Sequence, residues 1–542
     1  MTANSRKIFF GILIFAFVVR VAGVGYGLPL WLISDEPPFV LGALKMIELK
    51  TPIPRFHTAE FSSVLYYPPY ISYLLLPAFS AILAFKYFNF DGNRLSFANY
   101  IGSDLSSFFI AARFINIMLA LASIYLAYKI AKNIFKDEWA GLATAFFIST
   151  SLLHILLSIA ARQWMPVSFI FLLVLYFLTH PSWSFKRRYF LSILISGIGI
   201  GASVISCVAL FLVGFYFLLF EEKKLIDLFR EKFVYLLALV FVALAFLPLI
   251  LYPSSLGFQG KISFFENKSI TGFLTSPAKF ILPLLFAEPI LILMSVLGLF
   301  FAFIKSRRLF WFFLLFTAAY LMVFYVFFRS EDRFLTPMLP AIAILAGFGF
   351  AQLFSYGRFF VILLILPLAF SLQLSYLAYK NDSRANLRSW IEKNIVENSK
   401  IVVSARLMRL SSDKEAIVEQ ASIDENSLRQ VDRSELFFDG SSAYPSFHAL
   451  NISDLDRTQF YENFEKYVKD NSYQYLILSR KDFRKDPELH GRFMNISSRG
   501  EEVISFGEDS KFSVADSKLG GNPFELFETK ELGPSVSLYN LK

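Results

Sequence analysis

The chain has 542 residues, 56% of them hydrophobic, and a formal net charge of +9. With a mean hydropathy of +0.53 and apolar runs of about 18 residues or more from Ile8 to Tyr379, it reads as a polytopic α-helical membrane protein rather than a soluble one. The single Cys207 excludes an intrachain disulfide framework and a cysteine-rich metal site, and because the basic residues cluster between apolar runs, where orientation and anionic lipid account for them, no nucleic-acid partner is expected.

The first apolar segment, Ile8 to Ile33, is interrupted by Arg20 and preceded by Arg6 and Lys7. No small-residue cleavage site follows, so it reads as an uncleaved anchor whose start is cytoplasmic. Ser34-Asp35-Glu36-Pro37-Pro38 then emerges on the far side. An acidic pair at that depth needs water, a cation or a partner, although Asp-Glu-Pro is also a good helix start. A long outer loop is expected over 28–108. Within it, Tyr66 to Phe88 is long enough to span, but both its ends fall outside. It is therefore expected to lie along or re-enter the outer leaflet, opened by Tyr67-Pro68-Pro69-Tyr70.

The basic groups Lys129/Lys132/Lys136, Lys186/Arg187/Arg188, Lys223/Lys224/Arg230/Lys232, Lys305/Arg307/Arg308 and Arg358 all fit inside. That solution gives about eleven transmembrane helices by the ~20-residue span rule and an outside C-terminus. It places Arg113, Ala161-Arg162-Gln163-Trp164-Met165-Pro166 and Arg329-Ser330-Glu331-Asp332-Arg333 on the outer face. Gly197, Gly199 and Gly201 allow a tight hairpin between Tyr189 and Phe220, and Glu288-Pro289 reads as a kink with a locally bonded carboxyl. His57 reads as solvated and His154 as satisfied locally. After residue 380 the composition turns polar. Residues 381–542 are expected to form a soluble α/β domain with strands at Ile401–Val403 and Tyr475–Leu478, each preceded by a helical stretch (Ala385–Ile395 and Thr458–Lys469).

Arg20, Asp35-Glu36, Tyr67-Pro68-Pro69-Tyr70, Arg113 at a helix head, and Arg333-Phe334-Leu335-Thr336-Pro337 followed by Pro340 form a series. In order and sidedness it resembles the protein-O-mannosyltransferase and aminoarabinose-transferase superfamily, membrane glycosyltransferases of the GT-C fold (glycosyltransferase family 39-like). The resemblance covers residues 7–380, so 1–380 is expected to be the transferase domain. It implies transfer of a sugar from a polyprenyl-phosphate carrier to a lipid, glycan or protein acceptor on the non-cytoplasmic face of a cell membrane, or of the ER membrane in a eukaryote. One departure stands out: Ala161 to Pro166 carries no acid where the family pattern has one, which removes an oxygen ligand for a divalent cation. Mg or Mn, held by Asp35 and Glu36 if by anything, is left open as a cofactor.

The residue chemistry agrees with the resemblance. An acceptor hydroxyl attacking an anomeric carbon must lose its proton, and Asp35 is the expected general base, with Glu36 directly involved. A leaving lipid phosphate needs fixed cations, and arginine grips phosphate oxygens in pairs. Arg333, Arg329, Arg113 and Arg162 are the expected donor-phosphate ligands, though an arginine at a helix end also anchors it by snorkelling. Arg20, Tyr67, Gln163 and Trp164 are expected to line or support the cavity. A transporter or lipid flippase with a charged outer cavity is the rival reading; paired repeats with broken helices would mark it.

Overall fold

The computed structural model describes residues 3–221, 232–256, 278, 281–327, 331–428, 444–452, 455, 460, 462–479, 487–498, 500–508 and 510–541. The chain is a bundle of apolar helices carrying a small sheet domain. Among the described residues six helices can cross a membrane by length and composition, or eight if each of two bent pairs is one span. About eleven were expected. The first helix, Ala3–Val21, misses this measure because it carries Arg6, Lys7 and Arg20. Trp164–Leu178 and the stretch Val204–Phe220 are apolar but shorter.

The first helix stops at Val21, well short of Ile33. Glycine at every second position (Gly23, Gly25, Gly27) followed by Pro29 withholds helix-forming side chains just where the chain must turn. Arg20 therefore sits in the last turn of its helix, not in mid-helix. The outer loop holds the helices Pro37–Glu48, Thr58–Ser62, Tyr70–Phe88 and Arg94–Ser103. Phe79 packs on Phe108 at 5.1 Å and Lys86 lies 5.9 Å from the same ring. Both contacts fall in the first turn of Ser106–Phe135, so Tyr70–Phe88 crosses the head of that helix. By length and composition Tyr70–Phe88 is also one of the six helices that can cross a membrane.

Ser106–Phe135 also separates the two ends of the bundle. From Arg113 to Phe135 is 22 residues, about 33 Å at the α-helical rise. At the far end, Lys136 and Lys305 line one cleft of ≈ 490 Å³, so two of the basic clusters share a side. The expected hairpin between Tyr189 and Phe220 is present as Phe185–Ile200, a 3₁₀ turn at Val204–Val208, and Ala209–Phe220.

Small residues let the central helices touch backbone to backbone, the usual contact where lipid removes the hydrophobic drive between helices. A Cβ on Gly347 would sit 2.1 Å from Thr144 Oγ1 and 2.6 Å from the Ala140 carbonyl. Gly347→Ala is expected to lower stability by about 1–3 kcal/mol, as overpacking does. Gly214→Ala, where a Cβ meets nothing within 4 Å, is the control. Thermal melting in detergent reads the difference.

The polar C-terminal part forms a six-stranded mixed sheet in the order β2-β3-β1-β4-β6-β5. The strands are β1 (Lys400–Val403), β2 (Ser411–Ser412), β3 (Ser446–Asn451), β4 (Tyr475–Ser479), β5 (Glu501–Phe506) and β6 (Val536–Asn540). β2, β3, β1 and β4 are parallel, and β6 and β5 close the edge antiparallel. Because side chains alternate along a strand, Ile401 and Val403 enter one core with Leu387 and Ile391, while Val402 enters the other with Phe464 and Val468. The helices Ser383–Asn394 and Phe464–Asp470 so cover opposite faces, as the α/β expectation requires.

Candidate active site

Asp35 and Glu36 are adjacent but point to different partners. Asp35 has φ +60°, a left-handed conformation that Asp adopts more readily than most residues, and such outliers gather at functional sites. Glu36, next in the chain, has an ordinary helical φ of −80° and precedes the proline-started helix Pro37–Glu48. The helix-start alternative is thus realised by Glu36, though its side chain caps no amide of that helix.

Glu36 is fully buried. Its Oε1 accepts from Arg113 Nε at 2.7 Å and from the Ala161 amide at 2.7 Å. Its Oε2 accepts from Arg113 Nη2 at 2.7 Å. Arg113 Nη1 donates to the Val24 and Tyr26 carbonyls at 2.8 and 2.7 Å. This bidentate pair ties the first helix's exit, the outer loop and the Ser106–Phe135 helix together. It also corrects two sequence expectations. Arg113 has no donor turned to solvent for a phosphate, and Glu36 has no carboxylate edge left for substrate.

Asp35 is partly open. Its Oδ2 accepts from Arg162 Nη2 at 2.6 Å, and Arg333 Nη1 stands 3.8 Å from the same oxygen. Oδ1 has no partner among the described residues. Arg162 is buried completely, and Nη1 reaches Ser517 Oγ at 3.2 Å. Burial pulls its pKa down, Asp35 opposes that shift, and Arg333 adds to it. Arg162 is thus a buried clamp on Asp35 rather than an anchor snorkelling outward.

Arg333 lies in the 3₁₀ turn Asp332–Leu335, pairs with Glu331 at 2.5 Å, and has its guanidinium 5.6 Å from the Phe334 ring. The neighbouring Asp332 accepts from the Leu519 amide at 2.7 Å. Burial pushes the Asp332 carboxyl above its usual range against that hydrogen bond. Arg329 lies outside the described residues.

Tyr67 stacks on Phe39 at 4.8 Å and lies close to Asp35 and Arg162. Burial, reinforced by the Asp35 charge, raises its phenol well above the usual value. Trp164 is buried against Phe334 at 5.2 Å, and Gln163 beside it is buried too. Gln163 Oε1 and Trp164 Nε1 have no hydrogen-bond partner among the described residues. These are two orphaned polar atoms near Arg162 and Phe334, a kind of group that an ordered water or ligand commonly satisfies.

Arg20 departs from the expectation of a cavity-lining residue or the partner of an acid. It is fully buried and donates to the Ile148 and Ser149 carbonyls at 3.2 Å each, to Ala16 O at 2.9 Å, and contacts His154 Nδ1 at 2.9 Å. The carbonyls at 148 and 149 belong to the last turn of Glu138–Thr150, which bends 60° into Leu152–Ser158. Arg20 thus satisfies orphan carbonyls at a helix C-terminus. Glu288 answers it across the same break. Its Oε1 accepts from Ser151 Oγ at 2.9 Å and the Leu153 amide at 3.0 Å. The expected kink at Glu288-Pro289 is a 113° bend, but the carboxyl is bonded 137 residues away, not locally. His57 sits on the exposed outer loop, 3.6 Å from Glu60.

The C-terminal domain closes the site, a contribution no motif announced. Ser34 N donates to Ala515 O at 3.2 Å, Tyr26 OH donates to Asp382 at 2.6 Å, and Ser517 and Leu519 meet Arg162 and Asp332. A cleft of ≈ 780 Å³ opens between the Glu331–Arg333 turn and the loop at 511–520. Arg333, Arg406, Lys511 and Lys518 line it along with Glu331, Asp332 and Asp516. Arg333 and Ser517 connect its wall to Asp35 and Arg162. Among the described residues no three His, Cys, Asp or Glu side chains gather as metal ligands. Glu36 is committed to Arg113 and Asp35 faces two guanidiniums, so this donor set does not fit a divalent cation.

Fold and site together are those of a helical bundle with membrane-spanning candidates and a small α/β domain that closes a charged cleft. Residues 98–252 match the family model of the dolichyl-phosphate-mannose-protein mannosyltransferases. No curated protein matches the sequence significantly. Among solved structures, apo ArnT from Cupriavidus metallidurans is similar at 13% identity and TM-score 0.47, with 99% of this chain and 98% of that one covered. The Archaeoglobus fulgidus oligosaccharyltransferase, in a complex with Zn and sulfate, is similar at 12% identity and TM-score 0.40 over 77% of this chain. This chain spans 60% of the length of that protein. The mycobacterial arabinofuranosyltransferase AftD is similar at 14% identity and TM-score 0.38, over 80% of this chain and 34% of that one.

Proposed function

We propose that the protein is a membrane glycosyltransferase that moves a sugar from a polyprenyl-phosphate carrier to an acceptor hydroxyl. The observation that carries this reading is Asp35, a partly open carboxylate whose Oδ1 has no partner among the described residues, beside Arg333, which lines a charged cleft. Asp35 Oδ1 takes the proton of the acceptor hydroxyl. The acceptor oxygen bonds to the anomeric carbon as the sugar–phosphate C–O bond breaks, and the polyprenyl phosphate leaves with the electron pair. A single displacement of this kind inverts the anomeric centre. Arg333 stabilises the phosphate charge as it grows, and Arg162 and Ser517 hold Asp35 in place. Glu36 and Arg113 are positioning residues. No step is routed through a metal ion.

The site end faces away from the basic end at Lys136 and Lys305, which under the positive-inside rule supports a non-cytoplasmic cleft and C-terminal domain. The acceptor, whether lipid, glycan or protein, must reach that face. The two bent helix pairs are what a transporter would show. Arg20 and Glu288 fill one break, however, and the cavity beside Glu288 measures ≈ 20 Å³, room for about one water. No substrate passes there.

Purified protein incubated with a radiolabelled polyprenyl-phosphate sugar and candidate acceptors tests the reading. Transfer is expected; liposome uptake of the sugar without transfer would favour the transporter. Arg333→Gln is expected to raise KM for the donor about 10–100-fold, the worth of a charged hydrogen bond, with a smaller change in kcat.

A further inference from the structure

Among the described residues of the C-terminal domain, the large hydrophobic side chains left exposed are Val396, Leu407, Val418, Val503, Phe524 and Phe527. Only the last two are aromatic, and they sit together. Phe524 is 54% and Phe527 52% exposed, although both rings already pack on Phe370 at 5.1 and 5.9 Å. Phe370 belongs to Ile365–Tyr379, the last helix before the domain and part of an apolar span. Gln373 Nε2 of the same helix donates to Leu526 O at 3.0 Å.

We propose that residues 522–529 are a second membrane contact, a wedge of the C-terminal domain whose Phe524 and Phe527 rings enter the lipid of the leaflet on the site side.

The depth follows from the helix. Tyr376 and Tyr379 are exposed near its end, and Lys380 lies 4.9 Å from the Tyr376 ring, the aromatic and cationic belt of a membrane interface. Phe370 is nine residues before Tyr379, about 13 Å along the axis. Gln373 is six residues before it, about 9 Å. Elements that lie in the interface bury their apolar side about 5–10 Å deep; Gln373 lies within that depth and Phe370 somewhat below it. Leu366, one turn before Phe370 on the same face, is also exposed.

The wedge is two-faced. Phe524 and Phe527 share one side by their i, i+3 spacing. Leu526 is buried in the core cluster that holds Phe370, Leu374 and Phe512. Glu525, on another side, bonds Lys511 of the cleft loop at 2.7 Å, so the rings can meet lipid while the acids stay in water. Through that pair the wedge also ties the cleft wall to the membrane surface. Lipid is the occupant because the two rings stay half exposed beside a helix that is long and apolar enough to cross a membrane.

The test uses full-length protein with Cys207→Ala, a nitroxide on a single cysteine, and reconstitution in phosphatidylcholine liposomes. Collision with oxygen, which concentrates in lipid, is compared with collision with a water-soluble nickel chelate. The oxygen-to-nickel ratio at Phe527→Cys and Phe524→Cys is expected to exceed that at Val418→Cys on the order of tenfold. Glu528→Cys, which removes neither ring, is expected to read as water-exposed beside them. A ratio at 527 equal to that at 418 would overturn the proposal. So would exclusion of both reagents, which would mean that protein, not lipid, covers the rings. Neither result bears on glycosyl transfer.

Discussion

Asp35→Asn is expected to lower kcat for transfer by about 10²–10⁴-fold, the usual worth of a positioned general base, with little change in donor KM. Asparagine suits the test because it also tolerates the left-handed backbone that position 35 requires, and its carbonyl can still accept from Arg162. What it lacks is a group able to take the acceptor's proton. The loss of charge beside a buried Arg162 also weakens that clamp, so the folded fraction is measured in parallel by thermal melting. Asp35→Glu is the companion variant. It restores the charge but moves the carboxyl by one methylene, and is expected to recover stability more fully than rate. If Asp35→Asn kept most of its turnover while fully folded, the proton would have another acceptor and the proposed mechanism would fail.

The second large effect is on stability. Glu36→Ala leaves Arg113 buried with only the Val24 and Tyr26 carbonyls for company. Breaking a buried ion pair by removing one partner costs about 3–5 kcal/mol. The double variant Glu36→Leu with Arg113→Met removes both charges and is expected to recover part of that loss, because no uncompensated charge remains. It does not recover all, since the Ala161 amide and the two carbonyls also lose their partners. Unfolding of Glu36→Leu, Arg113→Met and the double variant in detergent closes the cycle. Equal and additive effects would mean that the pair does not act as a unit.

What the sequence disclosed depended on how local the physics is. The membrane bundle is written in runs of apolar residues, and the sheet domain in a change of composition and period. Asp35 was legible because an acid after an apolar helix has few structural reasons to be there. Its neighbour Glu36 looked the same in sequence, and only the fold shows that Arg113, 77 residues away, takes both of its oxygens. Arg20 was legible as a costly charge, but its partners are carbonyls, and backbone groups leave no mark in a sequence. Ser517 was invisible. A serine in a polar loop carries no signal until packing sets it beside Arg162.

The position of Ser517 late in the chain bears on when the protein becomes competent. Every apolar helix has left the ribosome before residue 511 is made, so the bundle can be threaded into the membrane with Arg162 and Asp332 still lacking their final neighbours. The charged cleft would then take its final shape only when the loop at 511–520 docks beside Arg162 and Asp332.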